Sequence, residues 1–324
     1  MSKTAFSAAA IAAICLGSAA SAECDWQPQR PVNFIVPWGA GGTTDTNARQ
    51  LASMLQDRFG VPFNVVNRTG GNGVTGHMAI SRARPDGQTI GAVTVEINTM
   101  HHFGLTDLTY EDITPLALMN QPAASVLVGK DSRFTSLTEV LDYARENPGE
   151  LTASGTSQGG IWHLALAGML EAEGLDPEAI RWVPSQGSAS ALQELLAGGV
   201  DMVTPSLDEG KALVEAGEIR ALAYMSDTRS DTFPDVPLTA EELDSGWTLA
   251  AYTTVSGPKD MPEDIACSYE AALGEIVASD EWAEFRATLG APVVWGGAAE
   301  LGELMASYDE SLGRTIEAIG GAQE

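Results

Sequence analysis

Four short stretches gather glycine and hydroxyl side chains at points where a strand-like run gives way to a helical one. They are residues 38–45 (Trp-Gly-Ala-Gly-Gly-Thr-Thr-Asp), 67–76, 154–160 (Ser-Gly-Thr-Ser-Gln-Gly-Gly) and 184–190 (Pro-Ser-Gln-Gly-Ser-Ala-Ser). Such turns expose unpaired backbone N–H groups at the positive end of a helix dipole. The chemistry they offer is the holding of an anion without cationic side chains. A single glycine-rich turn is ordinary turn chemistry. Four after successive strands form a pattern.

Two further matches point to enzymes and fail on their surroundings. Gly71, Gly73 and Gly76 fit G-x-G-x-x-G, with Glu96 twenty positions on, the spacing of a dinucleotide fingerprint. Three residues separate this run from its strand, and Pro85-Asp-Gly87 cuts the following helix short. Gly155, Ser157 and Gly159 fit the G-x-S-x-G nucleophile elbow, which needs a histidine well downstream of the serine. The four histidines are His77, His101, His102 and His163, and none serves as that late histidine. His101 and His102 are adjacent, so on regular structure they point apart, and no C-x-x-C accompanies them. No catalytic residue, metal or cofactor is expected. Trp38, Trp162, Trp182 and Trp247 are candidates for an aromatic pocket, with core packing as the commoner use of tryptophan.

The elements that must carry the four loops alternate in type. Strand-length apolar runs occur at residues 34–37, 63–66, 89–95, 125–128, 180–183, 201–203 and 219–224. Between them Ala48, Leu51, Ala52, Leu55 and Phe59 share one helical face, with Thr44 as a candidate N-cap and Gly60 past the end. Ser136 and Glu139 form a capping box before a second helix, and Leu192, Leu195 and Leu196 mark a third. This alternation predicts an α/β fold of mainly parallel sheets flanked by helices, with ligands at the carboxyl ends of strands.

Composition narrows the partners. The 324 residues carry 44 acidic and 17 basic side chains, a net charge of −27, which excludes nucleic acid and anionic lipid. Residues 1–22 hold Lys3, a short apolar run and an Ala20-Ser21-Ala22 cleavage site. They read as a secretory signal peptide, placing the mature chain in the periplasm and free of the membrane. Two cysteines follow it, Cys24 and Cys267. A disulfide and a plain buried thiol are both open readings.

Residues 30–45 also carry a P-[FW]-x-x-G-G-x-T-D loop after a strand, and residues 85–89 a P-D-G-[YQ]-T turn. Residues 182–192 approximate V-P-Y-x-G-x-x-P-A-L, and the segments 197–202, 216–222 and 235–237 follow in order. In these features, from about Arg30 to Gly297, the chain resembles the substrate-binding receptors of tripartite tricarboxylate transporters, the Bug receptors.

The resemblance implies a two-domain periplasmic binding protein, type II-like, with a small carboxylate in the interdomain cleft and transporter membrane subunits as partners. Residues 24–123 plus 250–324 form domain I and residues 124–249 domain II, an arrangement that puts Cys24 and Cys267 in one domain. Carried over by position, Trp38, Gly39, Ala40, Gly41, Gly42, Thr43, Thr44 and Asp45, with Asn72 and Gly73, grip one carboxylate. Ser154, Thr156, Ser157, Ser185, Gly187 and Ser188 contribute from the other domain. The segment Glu96-Ile-Asn98 departs from a usually small, polar pocket edge. Glu96, if it faces the cleft, favours amino-acid-like or neutral-tailed carboxylates; the other reading is a solvated strand-end acid. A monomeric receptor is expected, with an exported carboxylate-processing enzyme or a sensory receptor of the same fold as alternatives.

Overall fold

The computed structural model describes residues 24–318 and 320–321; the proposed signal peptide lies outside them. Along the chain run β1 (Val32–Val36), α1 (Thr43–Phe59), β2 (Phe63–Asn67), α2 (Val74–Ser81), β3 (Thr89–Thr94), β4 (Ile113–Asn120), β5 (Ser125–Gly129) and α3 (Leu137–Glu146). Then come β6 (Leu151–Ser154), α4 (Ile161–Ala172), β7 (Ile180–Trp182), α5 (Ser188–Leu196), β8 (Met202–Val203), α6 (Leu207–Glu215), β9 (Ile219–Tyr224) and α7 (Thr239–Glu242). The last elements are β10 (Thr253–Pro258), α8 (Glu263–Val277), α9 (Asp280–Leu289), β11 (Gly296–Gly297) and α10 (Ala298–Ala318). A 3-10 turn, Val95–Asn98, extends the end of β3.

The strands divide between two sheets, ordered β11-β4-β10-β3-β1-β2 and β7-β6-β8-β5-β9. Both are mixed, not mainly parallel in their pairing. β1 pairs in parallel with β2 and β3, but β10 runs antiparallel between β3 and β4. In the second sheet β6 pairs in parallel with β7 and β8, while β5 runs antiparallel to β8 and β9. The reason is connectivity. β5 and β10 are the strands by which the chain enters a sheet from the other one, so they arrive in the reverse direction. The two crossings lie side by side: Ala124 N–H donates to Leu249 O at 2.9 Å and Ala251 N–H to Pro122 O at 2.8 Å.

β4 and β10 were not legible as strands. β4 carries Pro115, and β10 mixes Thr, Ser, Gly and Pro with a single Val. The first helix begins at Thr43 with Gly42 as its N-cap, two positions ahead of the expected Thr44 cap. Gly76, third glycine of the dinucleotide-like run, has a packing role: a Cβ there would lie 2.5 Å from Pro37 Cα. It lets α2 pack directly on the end of β1.

One apolar cluster joins Val32, Phe34, Leu51, Leu55, Tyr269 and Trp282 under the first sheet. Another runs from Val93, Val95 and Ile97 to Ile161, Trp162 and Leu164, so the two domains are packed together. Cys24 and Cys267 form a disulfide, with Cα atoms 5.4 Å apart, between the start of the described chain and α8. It closes a loop of 243 positions, so its removal acts mainly by freeing the unfolded chain. Reduction, or Cys267→Ser, is expected to lower stability by about 2–4 kcal/mol, read as a drop in melting temperature. Equal melting curves with and without reductant would contradict this.

Candidate functional site

The helices that follow the four glycine-rich loops are α1, α2, α4 and α5. Each begins on a glycine N-cap (Gly42, Gly73, Gly160, Gly187) with no side chain capping it. By contrast, Ser136 Oγ caps α3 and Ser279 Oγ caps α9. These starts are left to the backbone and to neighbours across the loops: at α2 the amides of Val74, Thr75 and Gly76 donate to the carbonyls of Gly71, Gly70 and Gly73, and at α4 Glu96 accepts from the Ile161 amide.

Contacts link the four loops in series. Asn67 Nδ2 donates to Trp38 O at 2.9 Å, joining the first and second loops. Ser157 Oγ donates to Asn72 Oδ1 at 2.5 Å, joining the second loop to the third across the two domains. Ser185 N–H donates to Thr156 O at 2.9 Å, joining the third to the fourth. Asn72 is in the left-handed region at φ 54°, which turns its side chain toward Ser157.

Within the first loop, Gly39, Ala40, Gly41 and Gly42 are exposed and Thr43 and Thr44 half-buried. Asp45 has a different part. Its buried carboxylate accepts from Gly41 N–H (2.8 Å), Asn67 Nδ2 (2.8 Å) and both arms of Arg49 (2.9 Å each). Burial pushes this carboxyl up, but the donors from Arg49, Gly41 and Asn67 outweigh it and hold it below its usual value. Asp45 therefore clamps the loop from behind, and its carboxylate is spent inside the protein.

A buried relay lies beneath the loops. Trp38 Nε1–H donates to Thr94 Oγ1 at 3.1 Å, and Thr94 Oγ1–H donates to Glu96 Oε2 at 2.5 Å. Thr94 N–H donates to His77 Nε2 at 3.0 Å, which fixes the proton on His77 Nδ1, where it donates to Gly73 O at 2.8 Å. Glu96 is thus neither solvated nor at an open edge: it is 5% exposed. Burial pushes its pKa up, opposed by the Thr94 hydroxyl, its own amide and the Ile161 amide at the start of α4 in the other domain. Asn98, expected beside it, faces elsewhere. The tight 3-10 turn rotates it away, and its Nδ2 donates to Met305 O at 2.8 Å while Tyr252 OH donates to its Oδ1.

In the second domain the expected hydroxyls are mostly engaged internally. Ser154 Oγ donates to Val183 O at 2.7 Å and Ser185 Oγ to Gly187 O at 3.1 Å. Ser188 Oγ accepts from Trp162 Nε1 at 3.0 Å. Thr156 differs, because its Oγ1 is buried with no partner. His163 Nδ1 accepts from Gly159 N–H at 3.1 Å, and its ring packs 5.0 Å from Trp182, so it shapes the third loop and does not activate Ser157. Of the tryptophans, Trp162 lies in the core, while Trp38, Trp182 and Trp247 are half-buried against it.

Two groups escaped the sequence reading. Thr94 carried no motif. Arg286 on α9 is fully buried, donating to Asn47 Oδ1 (2.9 Å), Asn120 Oδ1 (2.6 Å) and Pro292 O (3.2 Å). Asn47 in turn donates to Thr43 O at 2.9 Å, so Arg286 braces the first turn of α1. The adjacent histidines also defied expectation. They sit on a turn that swings both rings toward Asp309 of α10.

A sequence profile described as the tripartite tricarboxylate transporter family receptor matches residues 47–321. The chain belongs to this receptor family. A UPF0065 protein from the tcbD-tcbE intergenic region of Pseudomonas sp. (strain P51) is 30% identical over 292 residues, covering 89% of this chain and 86% of that one. BugT of Bordetella pertussis is 30% identical over 285 residues, covering 86% of each. Among solved structures, R. palustris Rpa4515 with adipate superposes at a TM-score of 0.81 with 28% identity, over 91% of this chain and 99% of that one. The receptor fold thus agrees with the resemblance read from the loops.

The relay sets a pH dependence. Burial depresses the His77 pKa from 6.5 to about 4, and a second proton on Nε2 would confront the Thr94 N–H. Between those values the unfolded chain binds the proton and the native state does not. Stability is therefore lost as pH falls through this window, by up to about 3 kcal/mol. Urea midpoints from pH 7 to pH 4.5 are expected to drop more steeply for the natural chain than for His77→Asn; parallel slopes would remove His77 as the cause.

Proposed function

We propose that this receptor captures a small carboxylate in the periplasm and hands it to the membrane subunits of a tripartite tricarboxylate-type transporter, without chemistry on the ligand. The observation that carries this reading is the series of contacts linking four uncapped, glycine-started helices across two domains. The closing lobes are residues 24–123 with 250–324, and residues 124–249; the partition of strands between two sheets and the paired crossings support these limits. All four loops come from one chain, so the site is complete in a monomer.

The ligand carboxylate lies against the amides of Gly39, Ala40, Gly42, Thr43 and Thr44 at the start of α1, the Gly41 amide being taken by Asp45, with Asn72 and Gly73 of the second loop. Asp45, Asn67 and Arg286 keep that surface in shape. From the other lobe Thr156 offers its unpartnered hydroxyl, and Ser157 seals the seam with Asn72. Domain closure traps the ligand because only the closed form presents both walls at once.

Glu96 sets the ligand class. Thr94 Oγ1 already accepts from Trp38, so its own proton goes to Glu96, which therefore serves as an acceptor at the junction of the two lobes. A carboxylate of the protein occupies the approach to α4 that a second ligand carboxylate would seek. The ligand then carries a single carboxylate, with an ammonium or hydroxyl donor on the side facing Glu96. This contrasts with adipate, the dicarboxylate in the R. palustris structure.

The test is a thermal-shift series with serine, lactate, γ-aminobutyrate and quinate against malate, adipate and citrate. Amino or hydroxy monocarboxylates are expected to stabilise the natural chain, by about 2.7 kcal/mol at a hundredfold excess over Kd. The di- and tricarboxylates are expected to do so only with Glu96→Gln. Malate, adipate or citrate acting equally on the natural chain overturns the single-carboxylate class alone. A wider carboxylate panel with no shift at all overturns the receptor reading itself.

A further inference from the structure

Away from the cleft, His101, His102 and Asp309 bring three potential ligand atoms within 4.8 Å of one another. The two histidines follow the 3-10 turn after β3, on a helical turn closed by Gly104 N–H donating to His101 O at 2.9 Å. Their ring centroids are only 4.0 Å apart. His101 Nε2 lies 3.4 Å from Asp309 Oδ1, and His102 Nε2 lies 3.9 Å from Oδ2. Both separations exceed an ordinary hydrogen bond to a carboxylate; His102 Nε2 instead donates to the main-chain oxygen of Asp309 at 3.2 Å, a bond that a bound ion would replace. They suit ligands sharing one ion, because atoms bonded at about 2.1 Å in a tetrahedron stand about 3.4 Å apart.

We infer that His101, His102 and Asp309 form a site for a divalent transition metal of the zinc class, joining the segment after β3 to α10. The donor set, two imidazole nitrogens and one carboxylate oxygen, is of the borderline-soft kind that zinc takes, whereas magnesium and calcium prefer oxygen throughout. The carboxylate is oriented from behind by Asn98 Nδ2, 3.2 Å from Asp309 Oδ1, in the manner of an outer-shell partner.

α10 is also shaped to receive the pair. Gly313, one turn beyond Asp309, stands where a Cβ would come within 2.6 Å of His102 Cε1. A glycine inside a helix is destabilising by roughly 0.5–1 kcal/mol relative to alanine, and here it makes room for the imidazole. His102 and Asp309 also line a cavity of about 720 Å³ bordered by Tyr110, Glu310 and Glu317. Arg314 on the same wall is paired with Glu310 at 2.5 Å and does not add an unmatched positive charge.

The experiment uses the untagged mature chain, stripped with EDTA and dialysed, titrated calorimetrically with ZnCl2 and melted with Zn2+ or Mg2+. One Zn2+ per chain is expected, with a melting-temperature rise that Mg2+ does not reproduce. His102→Gln and Asp309→Asn should each weaken Zn2+ binding about tenfold or more, while His163→Gln, outside the cluster, leaves it unchanged. If a variant fails to fold, cobalt decides. An intense visible band from Co2+ added to the natural chain supports a tetrahedral nitrogen–oxygen site, and the weak spectrum of the aqueous ion overturns it. A thermal shift matched by Mg2+, or Zn2+ affinity retained in either folded variant, also overturns the proposal.

Discussion

Thr94 ties the first glycine-rich loop to the second. Its hydroxyl accepts from Trp38 and donates to Glu96, and its amide is accepted by His77, which passes its own proton to Gly73. Each hydrogen in this chain has one place to go, and His77 has no exposed surface. A buried polar group left unmatched costs about 1–3 kcal/mol, so a displacement at either loop is felt at the other. The first sheet exists, in this sense, to deliver Thr94 to the carboxyl end of β3 beside the ends of β1 and β2.

Charge is handled by the same economy. The chain is strongly acidic, yet the surface proposed to meet the ligand is built from backbone amides and carries no free cation. Arg286 is buried behind that surface and is held by two asparagine oxygens and a carbonyl, with Asp208 as a more distant negative partner. Burial pushes the guanidinium pKa down and Asp208 pushes it back up. Such a cation supports α1 sterically and electrostatically, and the acidic exterior leaves that local field intact because exposed charges are screened over about 10 Å.

The loops, most strands and the α/β class could be read from residue order, because glycine clusters and apolar runs report local backbone needs; the receptor fold came from the family resemblance. Side-chain direction could not. Glu96 and Asn98 stand two positions apart at a strand end, and only the 3-10 turn sends one into the relay and the other toward α10. Arg286 carried no local signal, since its partners Asn47 and Asn120 lie 239 and 166 positions away. Asp45 belongs to a loop motif that suggested ligand contact, whereas its partners turn it into a clamp. The histidine pair was expected to diverge because regular structure was assumed where the chain makes a turn. β4 and β10 escaped for the related reason that their pairing is settled by long-range neighbours and not by local pattern.

The position of β10 bears on how such a chain assembles. It is hydrogen-bonded between β3 and β4, so the first sheet remains split, with two bare edges, until residues beyond 250 have emerged. The second sheet, by contrast, draws all its strands from one uninterrupted stretch. During synthesis, N-terminus first, the middle of the chain can therefore finish folding while the beginning still waits for its central strand. The open edges of β3 and β4 are then aggregation-prone surfaces of the nascent protein, and holding them apart until the last quarter arrives is a task for chaperones.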